Sequence, residues 1–127
     1  MKITSVLTVK EIEPCLPFWV DRMGFQNLAQ MPEGEKSDKI GFVMLGRAGV
    51  ELMIQSVASV SKDEPAFAPG NESRVASLYI EVDDFADTLK RLEGYPLAMK
   101  ERTTFYGMRE VGVFDPAGNI VMFGVKA

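Results

Sequence analysis

The chain has no histidine and a single cysteine, Cys15, among its 127 residues. The first absence removes the side chain that titrates near neutrality and the commonest ligand of zinc, nickel and non-haem iron. Any chemistry must therefore rest on carboxylates, tyrosines, one thiol and Arg or Lys. The second excludes an internal disulfide and agrees with a reducing compartment. No run of about 18 apolar residues occurs, which excludes a membrane-spanning helix. The N-terminal Met1-Lys2-Ile3-Thr4-Ser5 soon meets Lys10 and Glu11 without the apolar core of a secretory signal, so a cytoplasmic location is expected. Positive charge is in deficit too: 14 Lys and Arg stand against 18 Asp and Glu, a net charge of −4. The basic footprint of a protein that binds phosphate backbones is missing, and nucleic acid is not expected as a partner.

What is present is an ordinary globular composition, 46% hydrophobic and 25% charged. At this length folding removes roughly two-thirds of the unfolded chain's surface from water, so no disulfide or structural metal is needed. Ile3 to Val9 alternates as a strand. A helix is predicted next, with Glu13 as cap, Pro14 at its first position, Pro17 in its first turn and Gly24 as its stop. Ile12, Leu16, Trp19, Val20 and Met23 form its apolar stripe, which makes Trp19 a core residue and Cys15 a buried, inert thiol. The polar stretch from Gln30 to Lys39 reads as solvated loop. Gly41–Leu45 and Val50–Gln55 flank Gly46-Arg47-Ala48-Gly49 as a β-hairpin. Residues 56–73, rich in Ser, Pro and charge, read as a linker or long loop.

The pattern then starts again. Ser77 to Val82 alternates as a strand, Asp83-Asp84 are cap candidates for a helix carrying Phe85, Leu89 and Leu92, and Gly94 ends it. A β region follows from about Thr103 to Phe114, then the turn Asp115-Pro116-Ala117-Gly118-Asn119 and a last strand from Ile120 to Val125. Val9, Ile12 and Leu16 recur as Val82, Phe85 and Leu89, each 73 residues later. Ala48-Gly49 recurs as Ala117-Gly118, offset by 69 as loops of different length require. An internal duplication is the reading.

Two such modules, with Tyr106-Gly107-Met108-Arg109-Glu110 ahead of the Asp115–Asn119 turn, resemble the vicinal oxygen chelate superfamily of glyoxalases, bleomycin-resistance proteins and extradiol dioxygenases. The resemblance covers nearly the whole chain. It implies an α+β fold of two tandem βαβββ modules, about 1–57 and about 74–127 with 58–73 as linker, forming a curved mixed sheet with a U-shaped cleft. Metal-dependent members carry His or Glu on four cleft strands, at positions that here fall on Thr4, Glu51, Ser77 and Met122. Only Glu51 is a competent donor, so the expectation is a cleft without metal or cofactor, as in the drug-binding branch. Homodimers are common in that branch, and a homodimer is expected here on that ground alone.

Strand alternation places side chains two apart on one face. Thr4, Val6 and Thr8; Glu51, Met53 and Gln55; Ser77, Tyr79 and Glu81; and Ile120, Met122 and Gly124 then share the mixed face, while the opposite face is almost purely aliphatic. The methionines either fill space or adapt to a ligand. Glu51 and Glu81 offer negative charge to a cationic group, or are solvated. Arg109 and Glu110 must point to opposite faces, and Arg109 is the one taken to enter the cleft. Phe105 and Tyr106 could wall a planar ligand or pack a strand end or dimer contact. The candidate ligand-binding set is Glu51, Met53, Tyr79, Tyr106, Arg109 and Met122. The function expected is sequestration of a small apolar or aromatic compound, a toxin or antibiotic. The alternative is a metal-independent lyase or isomerase with Glu51 as general base and Tyr79, Tyr106 or Arg109 polarising a carbonyl.

Overall fold

The computed structural model describes residues 1–68 and 74–127; residues 69–73, the end of the expected linker, lie outside the described residues. The chain divides into two compact units, Met1–Val75 and Ala76–Ala127.

In the first unit, β1 (Ser5–Val9), β2 (Gln26–Pro32), β3 (Ile40–Arg47) and β4 (Val50–Ser56) form a sheet in the order β1-β4-β3-β2. β1 runs parallel to β4 and the other pairs are antiparallel. The β3–β4 hairpin closes on Ala48 and Gly49, both at positive φ (51° and 82°), the pattern of a type I′ turn whose twist suits a two-residue connection. Leu7, Val9, Val43, Leu45, Leu52 and Ile54 are buried on one face. Ile12, Phe18, Trp19, Met23 and Phe25 complete the unit's core, with Trp19 set edge-on to Phe25 at 5.4 Å. Each fully buried side chain of this size contributes about 1.5–3 kcal/mol, more than any exposed ion pair, so these faces dominate the stability. Trp19, on the stripe, and Cys15, beside it, are buried as expected.

In this unit three elements differ from the sequence expectation. The first helix is not regular: Glu13–Cys15 is a 3₁₀ turn and Pro17–Arg22 a π-helical segment, with the Met23 amide donating to the Phe18 carbonyl at 2.9 Å. Pro17 lacks an N–H and its ring would collide with the carbonyl four residues back, so it opens a second segment instead of continuing the first turn. Gln26–Pro32 is an edge strand, exposed throughout and held by backbone pairing with β3, so it shows no apolar period. The stretch read as linker begins with a helix, α1 (Val57–Asp63). Ser56 caps it, its Oγ accepting from the Ser59 amide at 3.2 Å, and Val60 is buried beneath it.

The second unit repeats the topology. β5 (Ser77–Glu81), β6 (Met99–Thr103), β7 (Met108–Phe114) and β8 (Ile120–Lys126) lie in the order β5-β8-β7-β6, with β5 parallel to β8. α2 (Phe85–Arg91) follows β5, capped by Asp84, whose Oδ1 accepts from the Asp87 amide at 2.9 Å. The same order twice, parallel outer strand included, makes this an α+β fold of tandem βαβββ modules. The β region expected as one stretch from Thr103 to Phe114 is two strands, β6 and β7, joined by a turn at 104–107. The Asp115–Asn119 turn is locked by its two buried ends. Asp115 Oδ1 accepts from the amides of Ala117 (3.0 Å) and Asn119 (2.8 Å), and Asn119 Oδ1 accepts from the Ala76 amide at 2.8 Å, tying the turn to the start of β5.

Candidate functional site

Register assigns the faces of the second sheet. Tyr79 pairs with Met122, Met122 with Gly112, Gly124 with both Glu81 and Glu110, and Glu110 with Arg102. Ser77, Tyr79, Glu81, Glu110, Gly112, Ile120, Met122 and Gly124 therefore share one face, while Val111, Val113, Val121 and Phe123 are buried on the other, the side that Phe85 of α2 covers. Two glycines shape the open face. A methyl group on Gly112 would meet Met122 Sδ at 2.7 Å, and one on Gly124 would meet Tyr79 Cζ at 2.7 Å, so the tyrosine ring lies directly over the backbone of β8.

At the centre of this face stands a carboxylate that the sequence pattern did not single out. Glu110 is 1% exposed. The hydroxyl of Tyr79 hydrogen-bonds it, Tyr106 Oη donates to its Oε2 at 3.2 Å, and Arg102 Nε donates to its Oε1 at 3.3 Å. These donors, the Tyr79 hydroxyl foremost, hold the Glu110 carboxyl below the usual carboxylate value despite its burial, which alone would raise it. Tyr79 is pushed up to about 12, first by loss of solvent around it and then by its bond to, and the charge of, Glu110. An ionised carboxylate thus fixes two phenols while their rings remain half exposed, Tyr79 at 50% and Tyr106 at 58%. Phe105, fully exposed, stands edge-on to Tyr106 at 5.1 Å.

The expectation that Arg109 enters this face is corrected. Its guanidinium lies 4.8 Å from the centre of the Phe85 ring on the α2 side, and its Nε donates to Glu101 Oε1 at 2.9 Å. Glu110 takes the open face instead. The signal was available: Phe114 and Ile120 flank the Asp115–Asn119 turn as partners, and counting by twos towards the N-terminus from Phe114 reaches Gly112 and Glu110, not Arg109. Arg102 carried no such signal, because β6 is irregularly paired between Met99 and Arg102.

In the first unit Val6, Met44, Met53, Gln55 and Glu51 share the open face by the same logic. Glu51 Oε2 holds Lys2 Nζ at 2.7 Å, at the edge of a groove of about 360 Å³. A carboxylate already engaged by an ammonium gives no geometric support to a general-base role. A larger cavity of about 630 Å³ lies where the open face meets α1, with Met31 and Phe42 as apolar lining and Gln55, Ser59 and Lys62 as polar groups. Gln55 Nε2 donates to Ser59 Oγ at 3.1 Å. The sequence gives no sign of this cavity as long as α1 is taken for loop.

Of the four positions that the resemblance sets against metal ligands, Thr4 and Glu51 lie in the first unit and Ser77 and Met122 in the second. Thr4, Ser77 and the thioether of Met122 are poor donors, and Met122 packs over Gly112. Among the described residues no three His, Cys, Asp or Glu side chains are grouped to hold a metal ion.

Tandem βαβββ modules, each with one aliphatic and one mixed face, define the vicinal oxygen chelate fold. The chain belongs to the Glyoxalase/Bleomycin resistance protein/Dioxygenase superfamily, whose sequence pattern matches residues 3–123. Among solved structures it is similar to TioX from Micromonospora sp. ML1, at 18% identity and a TM-score of 0.78, covering 100% of this chain and 99% of that one. It is also similar to TnmS3, an antibiotic binding protein from Streptomyces sp. CB03234, at 21% identity and a TM-score of 0.66, covering 100% and 98%. A lactoylglutathione lyase from Agrobacterium tumefaciens aligns at 18% identity with a TM-score of 0.71, covering 98% and 92%. No curated protein sequence matches the chain significantly. At these identities the TM-scores establish a shared fold alone.

Proposed function

We propose that this protein binds and sequesters a small apolar or aromatic compound, of the toxin or antibiotic kind, on the open faces of its sheets and without a metal. The observation that carries this reading is the second sheet's open face, where two half-exposed phenol rings are fixed by one buried carboxylate beside Met122 and Ile120. Rigid aromatic surface with a few oriented polar groups suits a small-molecule site. Met53 and Met44 supply adaptable apolar surface on the first sheet, and Glu51 a charge at its edge. The solved structure of TnmS3, an antibiotic binding protein of the same fold, supports the reading. We also infer a cytoplasmic homodimer. No helix among the described residues is long and apolar enough to cross a membrane.

The test is a thermal-shift screen of aromatic compounds, including antibiotics, against the full chain. A ligand present at about 100 times its dissociation constant stabilises the native state by about 2.7 kcal/mol, a shift of several degrees. Tyr79→Ala and Met122→Ala should abolish the shift of a true ligand. A broad panel without any shift, or hits indifferent to both variants, would remove the proposal.

A further inference from the structure

The charge pattern across the second sheet's open face specifies more than apolarity. This inference rests on the ligand-binding reading above and narrows it to a chemical class.

In one cross-strand row stand Glu81, Gly124, Glu110 and Arg102, each paired in register with the next. Glu110 is buried and its charge is taken up by two phenol hydroxyls and Arg102 Nε, so it offers a ligand no free anion. Arg102 differs. Its side chain is 55% exposed, and its contact with Glu110 is through Nε. The two terminal nitrogens of its guanidinium make no other hydrogen bond or ion pair among the described residues. Three strand spacings, roughly 14 Å, separate Arg102 from Glu81 at the far end of the row, more than a Debye length at physiological salt. The charge of Glu81 is thus screened from Arg102, and what this end of the face offers a ligand is the pair of uncommitted terminal N–H groups of a guanidinium whose Nε is held by Glu110. Arg109, the next arginine along the chain, is spent on Glu101 and Phe85 at the other face.

We propose that this face selects planar aromatic compounds bearing an anionic oxygen group, a carboxylate, sulfonate or ionised phenol, with the rings against Tyr79 and Tyr106 and the anion on the outward fork of Arg102. A planar guanidinium meets such oxyanions with two parallel N–H donors, and Glu110 holds Arg102 in place for it. The network also explains why Glu110 is buried rather than exposed: it acts through the three groups it positions.

Two fluorescent probes with the same ring system test this directly: 8-anilinonaphthalene-1-sulfonate, and N-phenyl-1-naphthylamine, which lacks the sulfonate. Dissociation constants are measured by titration of the full chain. The wild type is expected to bind the sulfonate about tenfold more tightly than the neutral probe, the size of one charged hydrogen-bonding contact. Arg102→Gln should bring that ratio to about one, and Arg102→Lys should restore part of it. Lys90→Gln, the same change of net charge on exposed α2, should leave the ratio intact. Where Arg102→Gln alone fails to fold because it strands the Glu110 charge, the double variant Arg102→Gln/Glu110→Gln removes both charges and should show the same lost preference. A ratio near one in the wild type, or one that survives in the folded Arg102 variant, overturns this inference and leaves the binding proposal standing. If neither probe binds, nor any compound of the aromatic panel, both fall together.

Discussion

Gly124 has no room for a side chain, since a methyl group there would meet the Tyr79 ring. Gly124→Ala must displace Tyr79 from Glu110, and overpacking of this kind costs about 1–3 kcal/mol. Denaturant unfolding should record that loss, and a second substitution, Tyr79→Ala, should recover part of it by emptying the space. The same network sets two pH dependences of opposite sign. Glu110 has a folded value below its ordinary 4.5, so its contribution is complete above about pH 4.5 and is lost as pH falls through the folded value. Melting temperatures of wild type and Glu110→Gln should therefore differ by a constant amount near neutrality and converge in acid. Tyr79 is raised from 10.0 to about 12, so the stability tied to its proton is complete below pH 10 and is lost between 10 and 12. A tyrosinate absorbance titration should show an ionisation near pH 12, and Tyr79→Phe should delete that step.

At the scale of elements, the turn between β7 and β8 does more than reverse the chain. Removing the Asp115 carboxylate strands the buried Asn119 amide and frees that of Ala117, and Asp115→Ala is expected to cost about 2–3 kcal/mol in denaturant unfolding. Asn119→Ala should in addition speed hydrogen exchange at the Ala76 amide, which has lost its acceptor. Ser56→Ala removes the cap of α1, with an expected loss of about 1 kcal/mol by the same measurement. Elements with a buried or half-buried face are legible in the order of residues alone: β1, β3, β4, β5, β8 and α2 each show their period. β2 and β6 do not. β2 is exposed along its length and β6 nearly so, held by backbone bonds that every residue type can make, and so neither imprints a pattern on side chains. The broken helix after β1 is foreshadowed by two prolines but reads as one, because its stripe from Ile12 to Met23 keeps an almost regular spacing through the irregular backbone.

For the molecule as a whole, duplication is the fact with the widest consequences. Each unit buries its own aliphatic sheet face, and each leaves a mixed face with glycine, methionine and sparse charge. The proposed dimer makes a separate prediction: sedimentation at micromolar concentration should give twice the 14.1 kDa chain mass, and a monomer would remove it. Hydrophobic alternation by itself determined the two modules and which sheet faces are covered, because burial of apolar surface is the dominant driving force of folding and must be written along the chain. Which polar groups meet was decided only in three dimensions. Arg102, Tyr106 and Tyr79 reach Glu110 from three separate elements through a bulged edge strand, a turn and a glycine gap, and no spacing along one segment encodes such a meeting. A hydrogen bond depends on tenths of an ångström in the folded chain, whereas burial needs only the right face.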